Sequence, residues 1–197
     1  MRIIAEELTR LEGGDSLENF IELNEAMYRY NSALEAGHPF GSKWNQWLLG
    51  KGSIWYWSKK TDSKTANIYL IANPLIWWAA ITAVITAVIL LFEKRLKKNL
   101  SFAFYIFLAG FFLNLIPFLR VSRVTFLYHY LPSLIFGILI LSIIYEKIIK
   151  DYIPSWCFKS FLVLVFLIFL LLLPLIYGIP LEDDFFQKIY SPLIGLL

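Results

Sequence analysis

Cysteine is almost absent from the 197 residues: there is one, Cys157, so a disulfide within the chain is excluded. One cysteine and two histidines also argue against a structural zinc site, which takes four such ligands. Charge is scarce, with Asp, Glu, Lys and Arg making up 17% of the chain. Soluble domains carry about 25%. That shortage, beside a hydrophobic share of 58%, excludes a disordered chain and a nucleic-acid-binding domain and argues against an ordinary soluble enzyme. No glycine-rich phosphate loop, nucleophile elbow, metal-ligand cluster or internal repeat is present. No metal or cofactor is expected.

The apolar residues are concentrated in four runs, 74–92, 101–119, 126–145 and 161–179. Three carry no charge, and the third holds only His129 besides its tyrosines. A helix of about 20 residues spans roughly 30 Å, the thickness of a bilayer core. The expected fold is all-α: a polytopic membrane protein with four transmembrane helices, preceded by an extracytoplasmic helical and Trp-rich segment. The chain divides on this reading into an outer segment 1–68, a membrane module 69–179 and an outer tail 180–197.

Basic residues set the orientation. The connections 93–100 and 146–160 hold Lys94, Arg95, Lys97, Lys98, Lys147, Lys150 and Lys159, against Arg120, Arg123 and Lys188 on the other side. Seven against three places the two basic loops in the cytoplasm and both termini outside it, in a multi-pass membrane location. Trp77, Trp78, Tyr105 and Tyr145 sit near run ends, as interfacial aromatics do. Segment 1–68 is then translocated although it carries many charges of both signs, and MRIIAEELTRLEGG has no signal-peptide layout. The expectation is the C-terminal part of a larger protein, or a chain that needs a partner for insertion.

In the outer segment, Ile3, Ile4, Leu8 and Leu11 have helical spacing. Asp15 with Glu18 reads as a capping box, opening a helix over about 16–36 that Gly37 stops. Its apolar stripe is interrupted by Asn24 and Asn31, which fits either a helix lying on the membrane or two amides pointing into a polar cavity. Trp44, Trp47, Trp55 and Trp57 lie among Gly, Ser and Lys in 38–57. That density suits membrane-interface anchoring or stacking on sugar rings. Asn73-Pro74 is a favourable helix start, and the free N–H groups of such a start also favour a phosphate.

The stretch RVSRVTFLYHYLP, 120–132, is the most unusual. Were 122–131 helical, Arg123 would share a face with Tyr130, and Thr125 with His129. Pro132 would kink that helix. The arginines either reach headgroups, or Arg123 grips a lipid-linked phosphate bidentately with His129 beside it, flanked by Tyr128 and Tyr130. Asp183 and Asp184 after Glu182 read as a solvated acidic turn.

Taken in order, Met27-Tyr28-Arg29-Tyr30, His38-Pro39-Phe40 with Ser42 and Trp44, Trp47, Ile54-Trp55-Tyr56, Asn73-Pro74 with Ile76-Trp77-Trp78, and Arg123 before Phe126-Leu127-Tyr128-His129-Tyr130-Leu131-Pro132 resemble the C-terminal membrane module of the protein O-mannosyltransferases. The resemblance covers about 17–178. It implies transfer of mannose from a polyprenyl-phosphate carrier to Ser or Thr hydroxyls of an acceptor protein on the outer or lumenal side, in the cell membrane or, in a eukaryote, the endoplasmic reticulum membrane. It implies no assignable catalytic residue in this chain. The expected substrate-binding residues are Arg123 and His129 first, with Tyr128, Tyr130, His38, Ser42, Trp44, Trp47 and Asn73. The chain departs from the family at Asn31, where a His is common, and at Leu48, where a Pro commonly follows the Trp. The family's acidic pair belongs to an N-terminal half that is not in this sequence. The module is therefore expected to complete the pocket of a larger transferase and to be inactive alone. The competing expectation is a membrane scaffold or accessory subunit that binds lipid-linked sugar without catalysis.

Overall fold

A computed structural model describes residues 16–32, 37–93, 100–121 and 123–196. The expected helix over 3–11, the Asp15 cap and the end of the 16–36 helix at 33–36 lie outside the described residues. The chain forms two units. The first comprises helix α1 (Ser16–Ser32), the residues up to His38, and Val121–Val124; the second runs over Pro39–Arg120 and Thr125–Leu197.

In the first unit, α1 leaves Leu17, Phe20, Met27 and Tyr28 exposed. Glu25 and Arg29 pair one turn apart at 3.4 Å. Asn24 Nδ2 donates to the Phe20 carbonyl of its own helix at 2.7 Å, so its amide turns back on the backbone and does not head for a polar cavity. The side chain of Asn31 lies outside the described residues.

The second unit opens with α2 (Trp44–Leu48), then a hairpin of β1 (Ile54–Thr61) and β2 (Lys64–Leu70). Asp62 takes φ of 41° in the two-residue turn, a region Asp tolerates. Four helices long and apolar enough to cross a membrane follow, over Pro74–Phe92, Phe102–Leu119, Leu127–Ile149 and Ser155–Tyr177. Their α-helical parts are α3 (Pro74–Leu90), α4 (Phe102–Leu115), α5 (Leu131–Ile144) and α6 (Ser155–Tyr177). The protein is mostly helical and multi-pass, as its apolar runs require. The hairpin was not expected within the Trp-rich segment, because its tryptophans read as anchors and not as strand formers.

Two expectations for the third span are corrected. Residues 123–126 are not helical; a 3₁₀ turn at Leu127–Tyr130 precedes α5, so Arg123 shares no helix face with Tyr130, nor Thr125 with His129. Pro132 lies in the first turn of α5, where its missing N–H costs nothing, and it kinks no helix. The fourth span begins at Ser155, six residues before the uncharged run. Its end is set by Gly178, whose φ of 64° stops the helix.

Lipid tails are as apolar as leucine, so helices in a bilayer associate through close packing of small residues. Here α3 turns Ala80, Ala83 and Ala87 inward, and Gly137 of α5 meets it, where an added Cβ would come within 3.3 Å of the Ala80 Cβ. Ser133 Oγ donates to the Phe111 carbonyl, tying α5 to α4. By contrast α6 buries little more than Leu172 and Leu175 and packs chiefly along β2.

After α6 the chain adds β3 (Leu181–Glu182) antiparallel to β2, Lys64 opposite Glu182 and Thr65 opposite Leu181. Short helical turns to Tyr190 lead into α7 (Ser191–Leu196). The acidic residues here are not simply solvated. Asp183 Oδ1 accepts from Thr65 Oγ1 at 2.6 Å, Oδ2 lies 3.5 Å from Lys60 Nζ, and the Asp183 N–H donates to the Ser63 carbonyl. The Thr65 hydroxyl first, and Lys60 after it, hold the Asp183 carboxyl below the usual aspartate range. A lowered folded value means that this latch contributes above the unfolded aspartate pKa, about 3.9, and is lost as pH falls through the folded value. Amide exchange of 181–190, corrected for its intrinsic pH dependence, is expected to stay protected at neutral pH and rise below about pH 4. Asp183→Asn is expected to raise it already at neutral pH.

Candidate functional site

The segment around Ser42 and the segment around His129 are far apart in sequence and joined in the fold. The Ser42 N–H donates to the Thr125 carbonyl at 2.8 Å, and Thr125 Oγ1 donates back to the Ser42 carbonyl at 2.6 Å. Both residues are buried. This reciprocal pair closes a loop of over 80 residues and leaves neither backbone group unpaired at that crossing.

Three tryptophans extend the joint. Trp47 Nε1 donates to Ser42 Oγ at 2.8 Å, and the Trp47 ring is 0% exposed. Trp77 Nε1 on α3 donates to the Trp47 carbonyl at 2.7 Å, and Trp78 Nε1 reaches the Leu49 carbonyl at 3.4 Å. Thus α2 hangs from the N-terminal end of α3 by indole N–H groups. Gly52, with φ of 104°, passes so close that an added Cβ would lie 2.6 Å from the Ser42 Cβ. Only glycine supplies both that backbone and that clearance.

On the other side of the joint stands His129. Its ring lies nearly parallel to Trp47 at 6.1 Å and against Tyr128 at 4.4 Å, with Phe118 edge-on to Trp47. His129 Nδ1 is 3.1 Å from the Phe126 backbone N–H. The same nitrogen lies 3.0 Å from the Phe126 carbonyl oxygen, so Nδ1 accepts from the N–H in one tautomer and donates to the carbonyl in the other. Tyr128 is half-exposed, whereas Tyr130 is fully buried against Trp77 and Phe111. The Tyr130 hydroxyl has no hydrogen-bond partner among the described residues, nor has Asn73 Oδ1.

The structure brings together Ser42, Trp44, Trp47, Tyr128, His129 and Tyr130, with Trp44 half-buried at the edge of the core. Trp47 and Tyr130 are covered, so they hold the site up and do not face a ligand. Asn73 occupies the N-cap position of α3 without capping it; Nδ2 donates instead to the Val165 carbonyl of α6 at 2.9 Å. His38 and Arg123 belong to the first unit. Thr125, Gly52 and Trp77 were missed as site-builders. Trp77 read as an interfacial anchor but is 3% exposed, whereas its neighbour Trp78 is 55% exposed. Among the described residues no His, Cys, Asp and Glu cluster could hold a metal.

Replacing Ser42 by Ala leaves a buried indole N–H unpaired, at a cost of about 1–3 kcal/mol. Gly52→Ala is expected to cost at least as much, through both backbone strain and the clash. Thermal unfolding in detergent checks both, with Lys51→Ala as the silent control.

The family model described as the C-terminal four TMM region of protein-O-mannosyltransferase matches residues 16–190. The chain is 31% identical over 151 residues to dolichyl-phosphate-mannose–protein mannosyltransferase 1 of Candida albicans, covering 70% of this chain and 17% of the relative. It is 28% identical over 187 residues to mannosyltransferase 4 of Schizosaccharomyces pombe, covering 88% and 22%. The Saccharomyces cerevisiae protein O-mannosyltransferase Pmt1-Pmt2 complex bound to the sugar donor shares the fold, with a TM-score of 0.71 at 24% identity over 90% of this chain and 26% of that one. The chain thus spans about a fifth of the length of these curated relatives. A four-span bundle with the Ser42 and His129 segments locked together is the setting of these matches, and the chain belongs to the protein O-mannosyltransferase family, as its C-terminal four-transmembrane region.

Proposed function

We propose that this module forms the donor-lipid and acceptor side of a mannosyl-transfer site, working with an N-terminal half or a partner chain. The observation that carries the proposal is the Ser42–Thr125 joint, which puts the two most family-like motifs at one place beside the outer end of α3. Random membrane packing has no need of a reciprocal buried hydrogen-bond pair between two polar-aromatic loops.

In the reaction the bond between the anomeric carbon of mannose and the carrier phosphate breaks. An acceptor Ser or Thr oxygen bonds to that carbon, and the hydroxyl proton passes to a base. We assign no base in this chain, and the acidic pair implied by the family resemblance would supply it from elsewhere. Charge accumulates on the leaving phosphate, so stabilisation there is electrostatic. Arg123 suits that task because its planar guanidinium can hold two phosphate oxygens at once. His129, with Nδ1 engaged by the Phe126 backbone, offers Nε2 to a phosphate, a sugar oxygen or an acceptor hydroxyl. Tyr128 gives an exposed ring and hydroxyl beside it, Trp44 and Asn73 are assigned to the margins of the pocket, and His38 is kept as a further substrate-binding residue. Ser42 and Trp47 hold its wall.

The basic-loop asymmetry supports placing this face and both termini on the extracytoplasmic or lumenal side, in the endoplasmic reticulum if the source is eukaryotic. Arg123→Ala in the full-length enzyme is expected to lower mannose transfer from polyprenyl-phosphate mannose by at least about a hundredfold, and Arg123→Lys to recover only part. Near-full activity of Arg123→Ala would remove it from the site. Full activity of the His129→Ala variant as well would assign the module to a scaffold role.

A further inference from the structure

A cavity of about 190 Å³ opens beside the Ser42 joint, within the second unit. Phe40 and Gly41 line one side, Lys51, Gly52 and Ser53 a second, and Ile194 of α7 a third. Lys51 is the one charged residue in that lining. Its backbone is fixed from three directions. The Lys51 N–H donates to the Gln46 carbonyl at 3.0 Å. Gly50 before it takes φ of 73° and lies against the Trp77 indole, where an added Cβ would come within 3.4 Å. Gly52 after it abuts Ser42.

The lining is rich in donors. Lys51 is exposed and forms no ion pair among the described residues. The N–H groups of Gly52 and Ser53, both half-buried residues, enter no hydrogen bond among the described residues. Ser53 adds its hydroxyl. An ammonium, two successive backbone N–H groups and a hydroxyl, with no carboxylate among them, make a donor set for an anion. The volume is below the roughly 300 Å³ at which pockets for drug-sized ligands begin. It equals about six water molecules, room for one tetrahedral oxyanion with its substituent outside. Trp77 lies in the first turn of α3, so Lys51 stands at the N-terminal boundary of a span. The tetrahedral oxyanion met at such a boundary is the phosphate of a lipid.

We propose that Lys51, with the Gly52 and Ser53 N–H groups, binds a lipid-borne phosphate monoester. The source is the polyprenyl carrier, an assignment that rests on the mannosyl-transfer reading. When the bond from the anomeric carbon breaks, its electron pair stays on the phosphate oxygen. A diester of charge −1 becomes a monoester of about −1.5 to −2 at neutral pH. A fixed cation there favours the departing phosphate over the intact donor, which raises kcat and not merely affinity. Lys51 is thereby a further substrate-binding residue of the site.

The test uses the full-length enzyme in phosphatidylcholine nanodiscs. Binding of polyprenyl phosphate without acceptor is read by native mass spectrometry, beside transfer kinetics with polyprenyl-phosphate mannose. Lys51→Gln is expected to weaken polyprenyl phosphate binding and to lower kcat, each by about tenfold or more, as loss of a hydrogen bond to a charged group does. The KM for an acceptor peptide should stay unchanged, thermal unfolding should be unaffected, and Lys51→Arg should recover most of both losses. Phosphatidate separates the two lipid sources. If it binds as tightly as polyprenyl phosphate and with the same dependence on Lys51, the phosphate site stands and the carrier assignment falls. Equal binding of polyprenyl phosphate by the wild type and by Lys51→Gln would overturn the proposal and leave the mannosyl-transfer reading intact. Binding of neither lipid phosphate, or a change confined to the acceptor-peptide KM, would overturn it as well. Full activity of Arg123→Ala and His129→Ala would instead count against the mannosyl-transfer reading.

Discussion

The fold rests on a pair of hydrogen bonds between Ser42 and Thr125. Each is short and buried, and each satisfies a polar group that would otherwise be stranded next to hydrocarbon. Without this crossing, α2 and its tryptophans would have no fixed place over the membrane helices. With it, Trp47 is seated on Ser42 Oγ, and Trp77 reaches up to the Trp47 carbonyl. His129 then finds an aromatic wall on one side and the Phe126 backbone N–H on the other. Glycine at 52 is the geometric condition for the whole assembly, because any side chain there would push Ser42 out of register.

The membrane bundle serves this joint from below. Its helices approach closely at glycines, where Gly137 faces Ala80 and Gly110 makes room for the Phe136 ring. That packing fixes the spacing of the N-terminal ends of α3 and α5, where Trp77 and the Tyr128–Tyr130 turn lie. The fourth span behaves differently. It binds the hairpin through β2 and the Asp183 latch and leaves most of its leucines outward, so lipid or the rest of a larger enzyme meets it first.

The four spans were legible because length and apolarity alone define them, and their order was unambiguous. Their ends were less so. Span four starts at Ser155 since Pro154 precedes it and Lys159 can extend its ammonium towards the boundary, neither of which a search for uncharged runs rewards. The hairpin was hidden because Trp55 and Trp57 carry interface chemistry as well as strand propensity. In the site, the aromatic residues and His129 stood out by composition, but Thr125 and Gly52 did not. Their roles come from tertiary hydrogen bonding and from a backbone angle, and neither leaves a local pattern. The same holds for Trp47 and Tyr130: a sequence reveals an aromatic residue, whereas burial decides whether it meets a ligand or supports one that does.

The most direct test of the central claim is to locate the donor by covalent capture. A photoreactive polyprenyl-phosphate mannose, bound to the full-length enzyme and irradiated, should attach to the Phe126–Tyr130 turn or the His38–Trp44 loop, with attachment competed by unmodified donor. Competable attachment confined to other parts of the enzyme, with both segments unlabelled, would contradict the account and leave the Ser42–Thr125 joint as a structural brace alone.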